Sequence, residues 1–320
     1  MAAAKDRKVA VVALGGNAIS NPDQREDIHT QFAKTRQSLS SIVALIRAGY
    51  EVVVTHGNGP QVGYELLRVE AARGLAPEQP LGVLVASTEG WMGYMIEQSL
   101  QNRLHDEKIS TPVISVITQV LVDRDDPSLA NPSKFVGPTY PEYEAYRLAQ
   151  DRGWTVKKDS GREGFRRVVG SPQPKKVINA EAIRYLLDSG YVVIAAGGGG
   201  VPAYYDEKEH LEGVDAVVDK DRASAVLGND IGAEELIILT AVEKVALNYG
   251  RADEKQLDRI TVAEAKHYLE IGHFPAGSMG PKIEAAIDFL ENGGDRVIIT
   301  DLDHVGDAVE GKSGTLIVKE

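Results

Sequence analysis

Short apolar runs alternate with helical patterns along most of this 320-residue chain. Val9–Leu14 predicts a buried strand, and residues 28–47 carry apolar side chains at helical spacing. The same alternation continues along the chain, where "TPVISVITQVLVD", "YVVIAAGG", "ELIILTAV" and "DRVIITDL" predict further strands and residues 88–104 predict a helix. Alternation of this kind favours an α/β fold with a mostly parallel sheet that helices cover on both faces.

Glycine-rich turns follow three of the predicted strands. They are Gly15-Gly16-Asn17, the "HGNGPQVG" stretch and the run Gly197–Gly200. Each alone fits a tight turn, but ligands of parallel sheets bind beyond the carboxyl ends of the strands. A loop without Cβ atoms lets backbone N–H groups approach an anion closely. Three such turns at one edge therefore predict an anion site, with Gly197–Gly200 clearing side chains away from the ligand.

Charge and composition exclude several classes of protein. The chain has no cysteine, so it forms no disulfide and has no cysteine nucleophile or thiolate zinc site. A net charge of −12 argues against binding to nucleic acid or to an anionic membrane surface. The first residues, "MAAAKDRKVAVVALGG", contain no apolar run long enough for a signal peptide or a membrane span. We expect a cytoplasmic protein that acts on small molecules.

Residues 123–173 interrupt the alternation with a stretch rich in proline, glycine and charge. An excursion of this length is usually functional or mobile. Phe135, Trp154 and Phe165 argue against a disordered insertion, because they are the anchors that a packed unit needs. We predict a single domain over residues 1–320, with 123–173 as a protruding subdomain inserted in it.

Two lysines stand at predicted helix starts. Lys220 lies between Asp219 and Asp221 at a strand-to-helix junction, and Lys282 follows a glycine turn in the first turn of a helix. A single lysine is by default a surface residue. A cation at a helix N-terminus opposes the helix dipole, however, and is tolerated more readily when an anion binds there. Asp221 is placed to hold both lysines as an acceptor.

Other motifs carry less weight. Residues 306–313 match the P-loop pattern, but that motif needs a helix after its lysine, and here "GTLIVKE" predicts a strand. "GNGPQVG" departs from the dinucleotide fingerprint in its spacing. The histidines show no metal-ligand spacing, and the sequence has no Ser-His-Asp arrangement or nucleophile elbow.

Seven segments together resemble the carbamate kinases of the amino-acid kinase superfamily. They are "VVALGGNAI", "VVTHGNGPQVG", "GFRRVVGSPQP", "VVIAAGGGGVP", "AVVDKDRAS", "LTAVEKV" and "GSMGPKIEAAIDFL". The resemblance implies an αβα sandwich around a mainly parallel sheet of about eight strands, and a homodimer. It implies reversible phosphoryl transfer from ATP to carbamate, giving ADP and carbamoyl phosphate, with Mg²⁺ as cofactor. The flux would run toward ATP in the breakdown of arginine.

The resemblance also implies roles for individual residues. Lys134, Lys220, Asp221 and Lys282 match the catalytic residues, with Lys134 reaching over the site from the subdomain in place of a lysine that other superfamily kinases have at Asn17. The other matches bind phosphate or carbamate (Gly15, Gly16, Asn17, Gly57, Asn58, Gly59, Gly197, Gly198, Gly199, Gly200) or the nucleotide (Thr240, Val242, Ser278, Met279, Gly280, Pro281).

One residue departs from the family pattern. Glu89 stands in "STEGWMGY" where the family has glutamine. Two interpretations stay open: the added charge weakens substrate affinity, or Glu89 faces a dimer contact. Two rival functions also remain, namely another small-molecule kinase of the same superfamily and a nucleotide-binding regulator without catalysis. Asn17 in the first loop and the 123–173 insertion favour the carbamate kinase over the first rival, and the retained lysines favour it over the second.

Overall fold

The computed structural model describes residues 7–20, 26–159, 161–275 and 277–320, with Asn17 described by its backbone only. The helices are labelled in chain order. They are α1 (Ile28–Arg47), α2 (Gly59–Ala71), α3 (Leu81–Asp106), α4 (Pro127–Ala130), α5 (Glu142–Arg152), α6 (Ala180–Asp188), α7 (Lys220–Ile231), α8 (Val262–Glu270), α9 (Met279–Glu291) and α10 (Val305–Val309).

The strands alternate with these helices along most of the chain. They are β1 (Val9–Leu14), β2 (Glu51–His56), β3 (Val113–Ser115), β4 (Gln119–Val122), β5 (Lys134–Tyr140), β6 (Thr155–Lys158), β7 (Phe165–Val169), β8 (Pro174–Val177), β9 (Val192–Ile194), β10 (Val201–Tyr205), β11 (Leu211–Gly213), β12 (Glu235–Leu239), β13 (Ala246–Leu247), β14 (Lys255–Gln256), β15 (Arg259–Thr261), β16 (Arg296–Thr300) and β17 (Thr315–Val318).

The central sheet has eight strands in the order β15-β17-β16-β12-β1-β2-β9-β3. The six neighbouring strands β16, β12, β1, β2, β9 and β3 are parallel to one another. Among the neighbouring pairs of this sheet, only β16–β17 is antiparallel. The predicted mainly parallel α/β fold is confirmed. Because β1, β2, β9, β12 and β16 run the same way, the loops after them meet at one edge of the sheet.

Alternate residues of β1 show how the sheet is covered on both faces. Val9, Val11 and Ala13 pack with a cluster that includes residues of α6, α7, α8 and α9. Ala10, Val12 and Leu14 pack with the opposite cluster, which includes α1, α3 and α10. Every residue of β1 is buried, as expected for a central parallel strand covered on both faces.

Residues 123–173 contain the short helix α4, the helix α5 and a three-stranded antiparallel sheet in the order β5-β7-β6. Phe165 packs against Tyr146 with ring centroids 5.5 Å apart, and Tyr140 lies 6.3 Å from Trp154. The contact between Phe165 and Tyr146 thus packs α5 against the three-stranded sheet, and the contact between Tyr140 and Trp154 joins β5 to the residue before β6. That the segment acts as a protruding subdomain of a single domain stays a prediction.

Some element bounds differ from the sequence pattern. "TPVISVITQVLVD" forms two strands rather than one, because β3 joins the central sheet and β4 joins a second sheet of order β11-β10-β4-β8. Helix α3 begins at Leu81, earlier than the predicted start at residue 88. The tail after Lys312 forms strand β17, which removes the helix that a P-loop needs. In the described ranges, no helix is both long and apolar enough to cross a membrane.

Candidate functional site

A cleft of about 1260 Å³ opens at the edge where the parallel strands end. Residues after β1, β12 and β16 form part of its wall, and the segment 123–173 and the start of α9 form the rest. Of the predicted site residues, the cleft wall contains Gly15, Gly16, Lys134, Asp221, Thr240, Val242, Ser278, Met279, Pro281 and Lys282.

Asp221 binds two lysines: Lys282, which lines the cleft with it, and Lys220, which is not among the lining residues. Its Oδ1 lies 2.8 Å from Lys220 Nζ and its Oδ2 lies 2.7 Å from Lys282 Nζ. All three side chains are largely buried, with side-chain exposures of 11%, 6% and 16% for Lys220, Asp221 and Lys282. Lys220 Nζ contacts Asp221 but is buried and makes no well-directed hydrogen bond within the described chain.

Local sequence fixes this cluster. Asp219 caps α7, since its side chain accepts hydrogen bonds from the backbone N–H groups of Asp221 and Arg222. The cap starts the helix at Lys220, which places Lys220 and Asp221 in its first turn. Lys282 stands in the first turn of α9, which packs beside α7. The cations therefore meet their anion at the ends of two neighbouring helices.

The charges of the cluster depend on one another. Burial alone would raise the pKa of Asp221, but Lys220 and Lys282 outweigh it and hold that pKa at about 2. Burial lowers the pKa of Lys220, and Asp221 opposes that shift while Lys282 adds to it. Two cations share one carboxylate in this cluster, so an anion that enters it would supply negative charge that the cluster lacks.

Lys134 reaches the same place from strand β5. Its Nζ lies 3.0 Å from Asp219 Oδ2, so it pairs with the residue that caps α7. Burial raises the pKa of Asp219 and Lys134 outweighs it, which leaves that pKa below its ordinary value. The segment 123–173 thus contributes a cation to the cleft, as the family resemblance implied, although the catalytic role of Lys134 stays a prediction.

The first two glycine turns adjoin the lysine cluster. Gly15 comes so close to β12 that a Cβ would stand 2.8 Å from the carbonyl oxygen of Leu239. A Cβ on Gly57 would stand 3.7 Å from the backbone nitrogen of Gly16 and 3.8 Å from Cδ of Lys220. Gly16, Gly57 and Lys220 are therefore neighbours, as expected if they share one anion. Asn58 is buried and Gly59, which begins α2, is exposed, and neither is among the residues that line the cleft.

The third glycine loop, Gly197–Gly200, is buried rather than open to the cleft. A Cβ on Gly197 would stand 2.4 Å from His56 Nε2, and one on Gly198 would stand 2.1 Å from Asn58 Nδ2. Gly198, Gly199 and Gly200 also have positive φ angles of 65°, 94° and 81°. Backbone conformation and close packing by protein atoms thus require these glycines. Contact of this loop with carbamate stays a prediction.

Replacing Gly198 by alanine will destabilise the fold. The new Cβ would displace the Asn58 amide, which donates a 2.8 Å hydrogen bond to Thr88, and it would strain a left-handed backbone. We expect a loss of about 2 kcal/mol or more in the free energy of unfolding, measured by denaturant titration. Gly213→Ala is the matched control, since no atom lies within 4 Å of its Cβ position. Equal stability of the two variants would contradict the packing argument.

Several cleft residues were not identified from the sequence. Asp219 appeared only as a neighbour of Lys220, although an aspartate directly before a helix is an N-cap signal. Arg222, Lys244 and Tyr249 also line the cleft, and the sequence alone gave no reason to select them. Gly280, predicted as nucleotide-binding, is buried, and its N–H donates to the carbonyl of Pro275.

Glu89 is buried inside the protein, at 3% exposure. Its Oε2 accepts a 2.8 Å hydrogen bond from the backbone N–H of Thr118. A dimer contact through this side chain is thus the wrong interpretation. Burial raises the pKa of Glu89 well above its ordinary value, with the backbone N–H groups of Thr118 and Val201 opposing that shift. Burial therefore disfavours the charged form of this carboxyl group.

The sequence model of the amino acid kinase family matches residues 8–301. The chain belongs to this family. Among its relatives, the carbamate kinase of Pyrococcus horikoshii is 48% identical over 96% of this chain and 98% of its own. The carbamate kinase of Thermococcus kodakarensis is also 48% identical, over 98% of this chain and 100% of its own.

Solved structures of the amino acid kinase family agree with this placement. Carbamate kinase from Giardia lamblia bound to AMP-PNP superposes with a TM-score of 0.92 at 40% identity, and the match covers 98% of this chain and 99% of that one. The resemblance found in the sequence is thereby confirmed, and so is the fold class predicted from it.

Proposed function

We propose that this chain is a carbamate kinase, which transfers a phosphoryl group reversibly between ATP and carbamate. The observation that carries the proposal is the buried Lys220–Asp221–Lys282 cluster beside a cleft whose wall includes the residues after β1, β12 and β16. Relatives named carbamate kinase, alike over nearly their whole length, support the same reaction. AMP-PNP in the Giardia lamblia structure supports a nucleotide as the second substrate.

The two lysines offset charge where two anions must meet. Phosphoryl transfer has a loose transition state, so the protein mainly positions the reactants and stabilises charge on the phosphoryl oxygens. Lys220 and Lys282 lie on opposite oxygens of Asp221, which holds their ammonium groups apart and in place. The phosphoryl group in flight would lie between them, over the turns that contain Gly16 and Gly57.

Carbamate needs no general base, because the attacking oxygen is already anionic. His56, which is close enough to Lys220 for its charge to be felt, fits that requirement. Burial lowers the pKa of His56 to about 4, with the Gly57 carbonyl opposing and Lys220 adding to the shift. His56 therefore stays neutral at pH 7 and packs against Gly197, so it adds no charge to the site.

Lys134 would close the site over the substrate. In its resting position it pairs with Asp219 at 3.0 Å, and its side chain is 43% exposed. A phosphate group in the cleft competes with Asp219 for this ammonium, since charge-assisted hydrogen bonds to phosphate are strong. Transfer of Lys134 from Asp219 to phosphate would bring the segment 123–173 against the bound substrate.

Mg²⁺ would enter with the nucleotide. Mg²⁺ usually keeps several waters, and its other ligands are substrate phosphates together with one or two protein carboxylates. The carboxylates nearest to the lysines are already engaged, Asp221 by two lysines and Asp219 by Lys134 and the α7 backbone. Within the described ranges, no group of three or more His, Asp or Glu side chains is arranged to hold a metal ion. The metal, when bound, would neutralise charge on the nucleotide phosphates.

Removal of Mg²⁺ will stop the reaction without unfolding the protein. We expect EDTA to reduce ATP formation to the uncatalysed background and added Mg²⁺ to restore it fully. The melting temperature should change by less than about 2 °C, since we propose that the metal enters with the nucleotide and does not hold the fold together. Turnover that persists in excess EDTA would contradict the metal's role.

A donor panel tests the proposed function. The purified chain is mixed with ADP and Mg²⁺, and ATP is followed in a coupled assay with carbamoyl phosphate or acetyl phosphate. We expect rapid ATP formation from carbamoyl phosphate and a rate at least about tenfold lower from acetyl phosphate. The reverse panel offers ATP with carbamate, glutamate, aspartate or uridylate. Selective use of another acceptor identifies a different kinase of the family, and nucleotide binding without turnover identifies a regulator.

Three further properties are part of the proposal. A homodimer is supported by apolar side chains on one outer face, where Tyr94 on α3 is 55% exposed and Ile117 is 46% exposed. Light scattering at the working concentration measures the mass of the particle, and a monomer mass would contradict the homodimer.

A cytoplasmic location is supported by the absence of cysteine. Net ATP formation in arginine breakdown is the physiological direction that we propose.

A further inference from the structure

Glu89 lies where helix α3 meets the third glycine loop. Its Cγ would be 3.1 Å from a Cβ on Gly197, and its Oε2 accepts from the Thr118 N–H at 2.8 Å. The mechanism proposed above does not use this carboxyl group. Only the KM measurements that test this inference rest on the proposed function.

Thr118 connects Glu89 to both ends of the third glycine loop. Its Oγ1 accepts a 2.9 Å hydrogen bond from the N–H of Ala196, directly before the loop. Its carbonyl accepts a 2.8 Å hydrogen bond from the N–H of Val201, directly after the loop. Thr118 is completely buried. The position of Thr118 therefore sets the entry and the exit of Gly197–Gly200, and Glu89 holds the backbone of Thr118.

The second carboxyl oxygen of Glu89 indicates whether the group is charged or protonated. Oε1 is buried and makes no hydrogen bond to any part of the chain that the structure describes. Apart from the backbone N–H groups of Thr118 and Val201, no group on α3 or on the elements packed against it shifts the pKa of Glu89. His56 on β2 also contacts Gly197, but it is neutral because its own pKa is about 4. A charged carboxylate here would be buried without a cation, which is costly.

We propose that Glu89 is a positioning residue that stays a neutral carboxylic acid and fixes the third glycine loop through Thr118. Oε2 accepts from Thr118, and the proton occupies Oε1, the oxygen without a partner. A glutamine would present the same acceptor and carry its amide nitrogen at the position of the protonated oxygen. The amide and the neutral acid should therefore be interchangeable at this site, whereas a carboxylate should not replace either.

Three variants of the full chain test the relay. Glu89→Gln keeps the acceptor for Thr118, Glu89→Leu removes it at similar volume, and Thr118→Val removes the bond to Ala196. We expect Glu89→Leu and Thr118→Val to raise KM for carbamoyl phosphate at least about tenfold with ADP affinity unchanged, and Glu89→Gln to stay within about threefold of wild type. Glu97→Gln, on the same helix, is the control. Unchanged KM in Glu89→Leu and Thr118→Val overturns the proposal, as does a loss in Glu89→Gln equal to theirs.

The protonation state has its own test, which needs no turnover. The folded protein keeps the Glu89 proton above pH 4.5, where the unfolded chain releases it, so wild type loses stability relative to Glu89→Gln as pH rises. We expect the melting temperature of Glu89→Gln to rise relative to that of wild type as the pH increases from about 5 to about 8. A difference in melting temperature that stays constant over this pH range shows that Glu89 is charged in the folded protein and overturns the proposal. Absence of wild-type turnover would instead defeat the proposed function, and this gap would still report on Glu89.

Hydrogen exchange distinguishes loop positioning from a general loss of packing. We expect the backbone amides of residues 195–202 to exchange faster in Glu89→Leu than in wild type or Glu89→Gln, with exchange in β1 unchanged. Equal protection of the loop in all three proteins overturns the relay through Thr118, whatever the enzyme turns over. If Glu89→Leu does not fold, Thr118→Val provides the same comparison.

Discussion

Replacement of Lys282 by methionine lowers kcat/KM for carbamoyl phosphate by about 10²–10³. Lys282 is largely buried, lines the cleft and lies 2.7 Å from Asp221. Methionine keeps much of the apolar stem but removes the ammonium group that would offset charge on the phosphoryl oxygens. The initial rate of ATP formation measures the loss, and ADP affinity should stay within about threefold because the nucleotide has other contacts along the cleft.

The matched control for Lys282 is Lys266→Met on the neighbouring helix α8. Lys266 also pairs with a carboxylate, that of Glu291, but its side chain is 52% exposed and lies outside the cleft. Surface pairs of this kind contribute about 1 kcal/mol or less. We expect wild-type turnover in the control. A loss below about threefold in Lys282→Met would remove Lys282 from the mechanism.

Replacement of Asp221 by asparagine will affect stability and catalysis together. The change leaves two buried ammonium groups beside each other without their shared anion. Breaking a buried ion pair by removing one partner costs about 3–5 kcal/mol, and we expect that loss in the free energy of unfolding. ATP formation should also fall at least about 10²-fold, because the lysines lose the group that positions them.

Two comparisons separate this effect from an ordinary surface change. Asp188→Asn removes an exposed pair with Arg184 on α6 and should cost about 0.5 kcal/mol or less. The pH dependence supplies the second comparison. The pKa of Asp221 is lowered from 3.8 to about 2, so its contribution is complete above pH 3.8 and is lost as pH falls through 2. An Asp221→Asn protein as stable as Asp188→Asn at pH 7 would contradict the buried triad.

Much of the fold followed from periodicity and from the position of glycine. The strand β1 and the helix α1 were predicted with the bounds that the structure has, because a buried parallel strand and a long amphipathic helix leave distinct patterns. The division of residues 113–122 into two strands of different sheets did not follow, because an apolar run does not reveal which sheet it joins. Turn residues between them are too few to mark a boundary by sequence alone.

The sequence predicted which charged residues belong to the candidate site, but not which of them contact one another. The order of residues 219–221 and the glycine turn before Lys282 indicated an anion site, and the structure brings these residues together. The pairing of Lys134 with Asp219 joins residues far apart in the chain, which spacing does not encode. The third glycine loop was interpreted as space for a ligand, whereas the side chains of His56 and Asn58 occupy the positions of the missing Cβ atoms.

Direct transfer between carbamoyl phosphate and ADP is the central claim, and phosphorus NMR tests it most directly. The purified chain is mixed with ADP, Mg²⁺ and carbamoyl phosphate, and all phosphorus resonances are followed with time. We expect the ATP signals to grow at the rate at which carbamoyl phosphate disappears, with inorganic phosphate rising only at the rate of an enzyme-free sample. Release of inorganic phosphate without ATP, or no consumption of carbamoyl phosphate although ADP binds, would contradict it.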